Sequence, residues 1–189
     1  MKIFAIIAAV VTSLMLLVAF IGGIFDSVSF SIREAGPYNL VYREHKGPYT
    51  GIRIILNDVL QYVVKQKKAR IVNGFAIFYD DPAAVSSDSL RSIGGVIIDS
   101  LMEVSAPYKS ALFPKTRVIA GEFPIRSFLS YTSGTLKFYP QLQKYLSENQ
   151  YKLSGPVMEI YDSPGRVITY LAPINEGPSP APSFGGGGM

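Results

Sequence analysis

Residues 38–63, YNLVYREHKGPYTGIRIILNDVLQYV, begin in the pattern of a strand and continue in the pattern of a helix. Alternation over residues 38–45 places Tyr38, Leu40 and Tyr42 on one face of the strand. Pro48 suits the first turn of a helix, where its missing N–H costs nothing. The helix that follows carries an apolar stripe formed by Ile52, Ile55, Leu56, Val59 and Val63. We therefore expect a mixed α+β domain.

The same order of elements is predicted twice along the chain. After the first helix, strands are predicted over residues 74–79 and 93–98, separated by a polar stretch that contains Pro82. A second round is predicted as a strand over 125–131, a helix over 140–148, and strands over 157–161 and 167–171.

The best internal match sets residues 78–82 (FYDDP) beside residues 160–164 (IYDSP). Each copy has an aromatic residue at a strand end and a turn directly after it, and both fall at the same place in the element order. The sequence thus predicts an α+β fold of two duplicated βαββ units over residues 27–174.

Residues 3–25 contain no charged residue, and only Thr12 and Ser13 interrupt the apolar run. A helix needs about 20 such residues to cross a bilayer, so we predict an uncleaved, single-pass anchor over residues 1–26 with the lipid bilayer as its partner. A cleaved signal peptide is the alternative, but its apolar region is usually shorter and no A-x-A site follows. Flanking charges differ by only one and weakly place the domain outside the cytoplasm.

Composition excludes several kinds of site. The chain has no Cys and a single His, at position 45, which excludes disulfides, thiolate chemistry and metal sites with several His ligands. The net charge of +4 is spread thinly, so we do not expect nucleic acid as a partner. No serine lies in a G-x-S-x-G motif, and no cofactor is predicted. Residues 175–189 are rich in Pro, Ser and Gly and predict a flexible tail.

The strand over residues 157–161 supplies the candidate site. Alternation sends Met158 and Ile160 to one face, which we expect to be core, and Glu159 with Tyr161 to the other. We expect the paired strand to add three residues to the face of Glu159: Phe75, Ile77 and Tyr79. A carboxylate among aromatic rings favours a cationic, aromatic or lipophilic ligand. The alternative is a Glu that is solvated or paired with Lys or Arg.

Three motifs, EHKGPY at 44–49, YDDP at 79–82 and EIY at 159–161, together resemble the GyrI-like (effector-binding) domain family. The resemblance implies SHS2-type βαββ halves around a ligand cleft, and it assigns effector binding to the glutamate of the EIY motif, here Glu159. Within the family, the chain is most similar to anchored members that act as ER-phagy receptors, and this favours a cytosolic domain.

The predicted function is a membrane-anchored module that binds a cationic, aromatic or lipophilic small molecule. Its predicted site comprises Glu159, Tyr161, Tyr79, Phe75, Ile77 and Tyr49, with Tyr49 of the GPY motif closing one end of the cleft. We do not predict an enzyme. Two alternatives stay open: a membrane scaffold that recruits protein partners, and a hydrolase of electrophilic small molecules in which a cleft glutamate and tyrosines take part.

Overall fold

The computed structural model of the chain describes residues 2–66, 68–174, 182 and 184–185. The first element is helix α1 (Lys2–Ile21), none of whose residues is buried. It is the one helix of the described chain that is long and apolar enough to cross a membrane. The predicted tail, residues 175–189, lies outside the described residues except for Pro182, Phe184 and Gly185.

The remaining elements are two helices and, within the described residues, eight strands. In chain order they are β1 (Ser29–Ala35), β2 (Tyr38–Lys46), α2 (Ile52–Gln66), β3 (Ile71–Phe78), β4 (Arg91–Ile98), β5 (Lys109–Phe113), β6 (Thr116–Pro124), α3 (Leu129–Asn149), β7 (Met158–Asp162) and β8 (Val167–Pro173). A single 3-10 turn, Tyr49–Gly51, leads into α2.

The strands form one antiparallel sheet in the order β1-β6-β8-β7-β3-β4-β2-β5. Each strand of the first half has a counterpart in the second half: β1 with β5, β2 with β6, β3 with β7 and β4 with β8. If every strand is replaced by its counterpart, the same order is obtained read from the opposite end. Strands β3 and β7 therefore meet at the centre of the sheet.

Both helices pack on one face of the sheet, in two separate clusters. The stripe of α2, Ile52, Ile55, Val59 and Val63, packs on β2, β3 and β4. Phe138, Leu142 and Leu146 of α3 pack on β6 and β8. The opposite face carries a third buried cluster without a helical residue, to which Leu40 and Tyr42 contribute as predicted. No residue of α1 belongs to any cluster, so residues 27–174 contain nearly the whole core and should fold without the helix.

One predicted strand is wrong. Residues 125–131, predicted as a strand, form a loop and the beginning of α3, and the predicted helix at 140–148 is the second half of a helix that starts at Leu129. The strand of that half is β6, which ends at Pro124. Pro140 lies inside α3 on its exposed side, where tertiary packing of Phe138 and Leu142 outweighs its low helix propensity.

Candidate functional site

Glu159 lies on β7, in the middle of the sheet, on the face that carries both helices. Its neighbours across the ladders are Ala76 of β3 and Tyr170 of β8. Directly opposite residues of antiparallel strands share a face, so Glu159 lies in the strip between the α2 cluster and the α3 cluster. Tyr161, two residues along, contacts both clusters.

Two tyrosine hydroxyls hold the carboxyl group. Tyr161 donates to Glu159 Oε2 at 3.1 Å, and Tyr139 of α3 donates to Oε1 at 3.3 Å. The residue is only 4% exposed. Burial raises the pKa of both tyrosines well above the ordinary value, and the charge of Glu159 raises it further. Both therefore keep their protons at neutral pH and remain donors.

In the described part of the chain, no cation pairs with this carboxyl group. Among the residues that the structure describes, no Lys or Arg lies within 4.0 Å of Glu159. A buried carboxylate without a positive partner is costly to ionise. Accordingly, burial raises the pKa of Glu159 to about 7, against the opposing hydrogen bonds from Tyr161 and Tyr139. A positive charge placed at this point would remove much of that cost.

An aromatic path leads from the surface to the carboxyl group. Phe128, which is 66% exposed, lies 6.2 Å from the ring of Tyr131, and Tyr131 meets Tyr161 edge-on at 5.7 Å. On the α2 side, the Arg53 guanidinium lies 5.4 Å from the ring of Phe128 and so bridges the two helices at the surface. We call this strip, from Phe128 through Tyr131 and Tyr161 to Glu159, the aromatic cleft; its rings are in contact and Glu159 is buried, so it is closed in this structure.

No protein-family model and no curated protein matches the sequence. Solved structures do match the fold. The C-terminal domain of EcmrR matches at 10% identity and a TM-score of 0.63, covering 79% of this chain and 99% of that domain. EcmrR in a complex with DNA matches at 11% identity and a TM-score of 0.63, with 93% of this chain and 69% of that chain covered. SAV2435 bound to tetraphenylphosphonium matches at 12% identity and a TM-score of 0.51, with 78% and 94% covered.

The chain has the GyrI-like fold. This confirms the predicted fold type, while the resemblance to ER-phagy receptors stays a prediction. In this fold α2 packs on β2, β3 and β4 and α3 packs on β6 and β8, so the aromatic cleft lies along β7 between the two helices.

The face assigned to three predicted site residues is wrong. Phe75 pairs with Ile160 and Ile77 pairs with Met158, so both lie on the opposite face of the sheet from Glu159. Tyr79 belongs to that opposite cluster too, and its hydroxyl donates to the carbonyl of Pro182. The register is displaced by one residue from the expected one, and such a displacement moves every side chain of a strand to the other face.

The other predicted residues lie on the face of Glu159. Tyr161 hydrogen bonds to it directly. Tyr49 lies at the start of α2, with its ring 4.7 Å from that of Phe78 and its hydroxyl donating to the carbonyl of Asp80 at 2.8 Å. The structure thus gives the position of Tyr49, while its role in closing one end of the cleft remains a prediction.

Two tyrosines of the site are absent from the set predicted from the sequence. Tyr139 binds the carboxyl group, and Tyr170 is buried beside it on β8, stacked on Phe138 at 4.2 Å. One signal could have found Tyr139: it follows Tyr131 by eight residues, which places both on the same side of a helix. That signal is invisible when residues 125–131 are taken as a strand.

Proposed function

We propose that this chain is a membrane-anchored small-molecule-binding module whose aromatic cleft takes a lipophilic, aromatic cation onto Glu159. The observation that carries the proposal is the buried Glu159 carboxyl, held by two tyrosine hydroxyls and without a cation partner in the described chain. Tyrosine rings around a carboxylate supply cation–π contacts, each contributing about 0.5–2 kcal/mol, and the carboxylate supplies the countercharge.

The fold comparison supports this choice of ligand. SAV2435, which shares the fold, is bound to tetraphenylphosphonium, a large cation covered by four aromatic rings. The cleft of the present chain offers the matching chemistry, aromatic faces above a single buried carboxyl group. Because Tyr139 and Tyr161 hydrogen bond to that group and it is buried, we propose that their rings turn aside when the ligand enters.

The two halves of the domain are proposed to be copies of one ancestral βαββ unit. The symmetric strand order supports this, as does a matching aromatic pair in each half: Tyr49 with Phe78, and Tyr131 with Tyr161. The carboxyl group occurs in one half alone, since Ala76 faces Glu159 across the centre.

Membrane anchoring is proposed for α1, with the chain divided into an anchor at 1–26, the domain at 27–174 and a tail at 175–189. An apolar helix of 20 residues with no buried residue supports a lipid environment. The segment after α1 is also fixed to the domain, because Asp26 accepts two hydrogen bonds from Arg126 at 2.6 and 2.7 Å.

A thermal-shift measurement on residues 27–174 tests the ligand class. Tetraphenylphosphonium at 100 times its Kd should add about 2.7 kcal/mol to the free energy of unfolding. The matched control is tetraphenylborate, which has nearly the same shape and the opposite charge and should give no stabilisation, because it would meet the carboxylate. Equal stabilisation by both ions, or by neither, would contradict recognition of a cation by the cleft.

A further inference from the structure

The loop before α3 is held against the end of α1. Ser127 Oγ donates to the carbonyl of Ile21 at 3.0 Å, and a Cβ at Gly22 would lie 3.5 Å from Leu129. Lys137, two turns further along α3, donates to the carbonyls of Ile24 and Asp26. Together with the ion pair between Arg126 and Asp26, these contacts fix the position of the loop along the axis of α1, next to the end of that helix.

The residues at this junction are apolar and exposed. Phe128 is 66% and Leu129 45% exposed, next to Ile24 at 56% and Phe25 at 66%. Scattered exposed apolar residues are common, but a contiguous group beside an apolar helix indicates a surface with a further partner. We call these four residues the junction patch.

Arginine side chains flank the junction patch. Arg126 lies 5.2 Å from the ring of Phe20 in α1, and Arg53 lies 5.4 Å from the ring of Phe128. Aromatic rings beside arginines are typical of the interfacial layer of a bilayer, because the rings enter the acyl boundary while the guanidinium groups reach phosphates.

The length of α1 determines the depth of the junction patch in a bilayer. A helix of 20 residues is about 30 Å long, the thickness of the hydrocarbon core, so when Lys2 lies at one boundary, Ile21 lies at the other. Ser127 binds the carbonyl of Ile21, so Phe128 lies at that same boundary.

We propose that Phe128 and Leu129 insert into the interfacial layer of a phospholipid bilayer, so that the aromatic cleft opens onto the membrane surface. Phe128 is the first ring of the path to Glu159, so a lipophilic cation dissolved in the interface enters the cleft without crossing water. This inference rests on the proposed anchoring of α1, and it adds the route and source of the ligand.

Depth measurements on the full chain in lipid nanodiscs test the proposal. The chain has no Cys, so Phe128→Cys and, separately, Leu129→Cys can each carry one environment-sensitive fluorophore. The control variants are Val11→Cys in the middle of α1 and Ser147→Cys at the far, exposed end of α3. The quenchers are phospholipids with a nitroxide either on the headgroup or deep in the acyl chain.

We expect headgroup nitroxides to remove most of the emission at positions 128 and 129 and almost none at position 147, while acyl-chain nitroxides quench position 11. If headgroup nitroxides quench positions 128 and 129 no more than position 147, while acyl-chain nitroxides still quench position 11, the interfacial placement is overturned and the anchor stays intact. Absence of quenching at position 11 would instead overturn the anchor itself. The ligand-binding part of the proposed function is tested separately on residues 27–174.

Discussion

Replacing Glu159 with Gln is expected to weaken binding of tetraphenylphosphonium by about 100-fold, which corresponds to about 2.7 kcal/mol. Gln has the shape of Glu: its amide oxygen can accept from one of the two tyrosine hydroxyls, Tyr161 or Tyr139, and its NH2 group can donate to the other, so the cleft should keep its geometry while losing its negative charge. Isothermal titration calorimetry at pH 8, where the carboxyl group is ionised in most molecules, measures the difference.

The matched control for this prediction is Glu122→Gln, which removes a carboxylate from the exposed position 122 on β6. It changes the net charge by the same amount and should leave the Kd of tetraphenylphosphonium within about twofold, because exposed charges are screened. Similar affinity in wild type and Glu159→Gln would show that the cation binds elsewhere or is held by rings alone.

The second large effect is a pH dependence with opposite signs for stability and for binding. The pKa of Glu159 is about 7 in the folded chain against 4.5 in the unfolded chain. Between these values the folded state binds more protons, so the free energy of unfolding falls as pH rises from about 4.5 through 7. The raised pKa corresponds to about 3 kcal/mol in total.

The affinity for a cation should rise as the pH rises, whereas the free energy of unfolding falls. Only the ionised carboxyl group attracts the cation, so raising the pH from 5.5 to 8.5 should lower the Kd of tetraphenylphosphonium by about 30-fold. Tyr139, Tyr161 and Tyr170 surround the group, and burial raises the pKa of each, so they contribute no titration in this range.

Urea denaturation and calorimetry at matched pH values measure both effects. The informative quantity is the difference between wild type and Glu159→Gln, since other carboxyl groups titrate equally in both. We expect Glu159→Gln to be more stable than wild type above pH 7 and nearly equal to it below pH 4.5. Parallel stability curves for the two proteins across the whole range would contradict a buried, unpaired carboxyl group.

Much of the fold could be predicted because the relevant signals are local. The strand with Tyr38, Leu40 and Tyr42 and the stripe of α2 were found from periodicity, since period 2 and period 3.6 are distinct over such lengths. Strands β7 and β8 were found for the same reason. The motif EIY placed the candidate site at Glu159.

The parts that could not be predicted depend on tertiary contacts. The sequence of α3 contains Gly134 and Pro140 together with Ser and Thr, all poor helix formers, and the helix is held by packing of Phe138, Leu142 and Leu146 on the sheet. Strand β1 has an exposed, polar sequence and exists because it pairs with β6 from far along the chain.

The error in the site has a similar origin. Alternation within one strand gives the relative faces of Glu159 and Met158 from sequence alone. The faces of Phe75 and Ile77 relative to Glu159 depend on the register between β3 and β7, which no motif in either strand specifies. Only the structure reveals that Ala76, and neither of the two larger residues beside it, faces the carboxyl group.

The alternatives to ligand binding remain predictions. A hydrolase would use Glu159 as a general base, and a pKa of about 7 suits that task. A scaffold would use surface residues and would tolerate Glu159→Gln. The two alternatives differ from the proposed function in their demands on the aromatic cleft. A scaffold does not need a cation to bind in the cleft, and a hydrolase needs a substrate that reacts in it.

The most direct test of a cation site at Glu159 is a crystal structure of residues 27–174 with tetraphenylarsonium, whose arsenic atom is located by anomalous scattering. We expect one strong arsenic peak between α2 and α3, with the rings of Tyr139 and Tyr161 turned aside and the carboxyl group of Glu159 facing the cation. An arsenic peak on the opposite face, or on the outer surface with Glu159 still covered by both tyrosines, would contradict it.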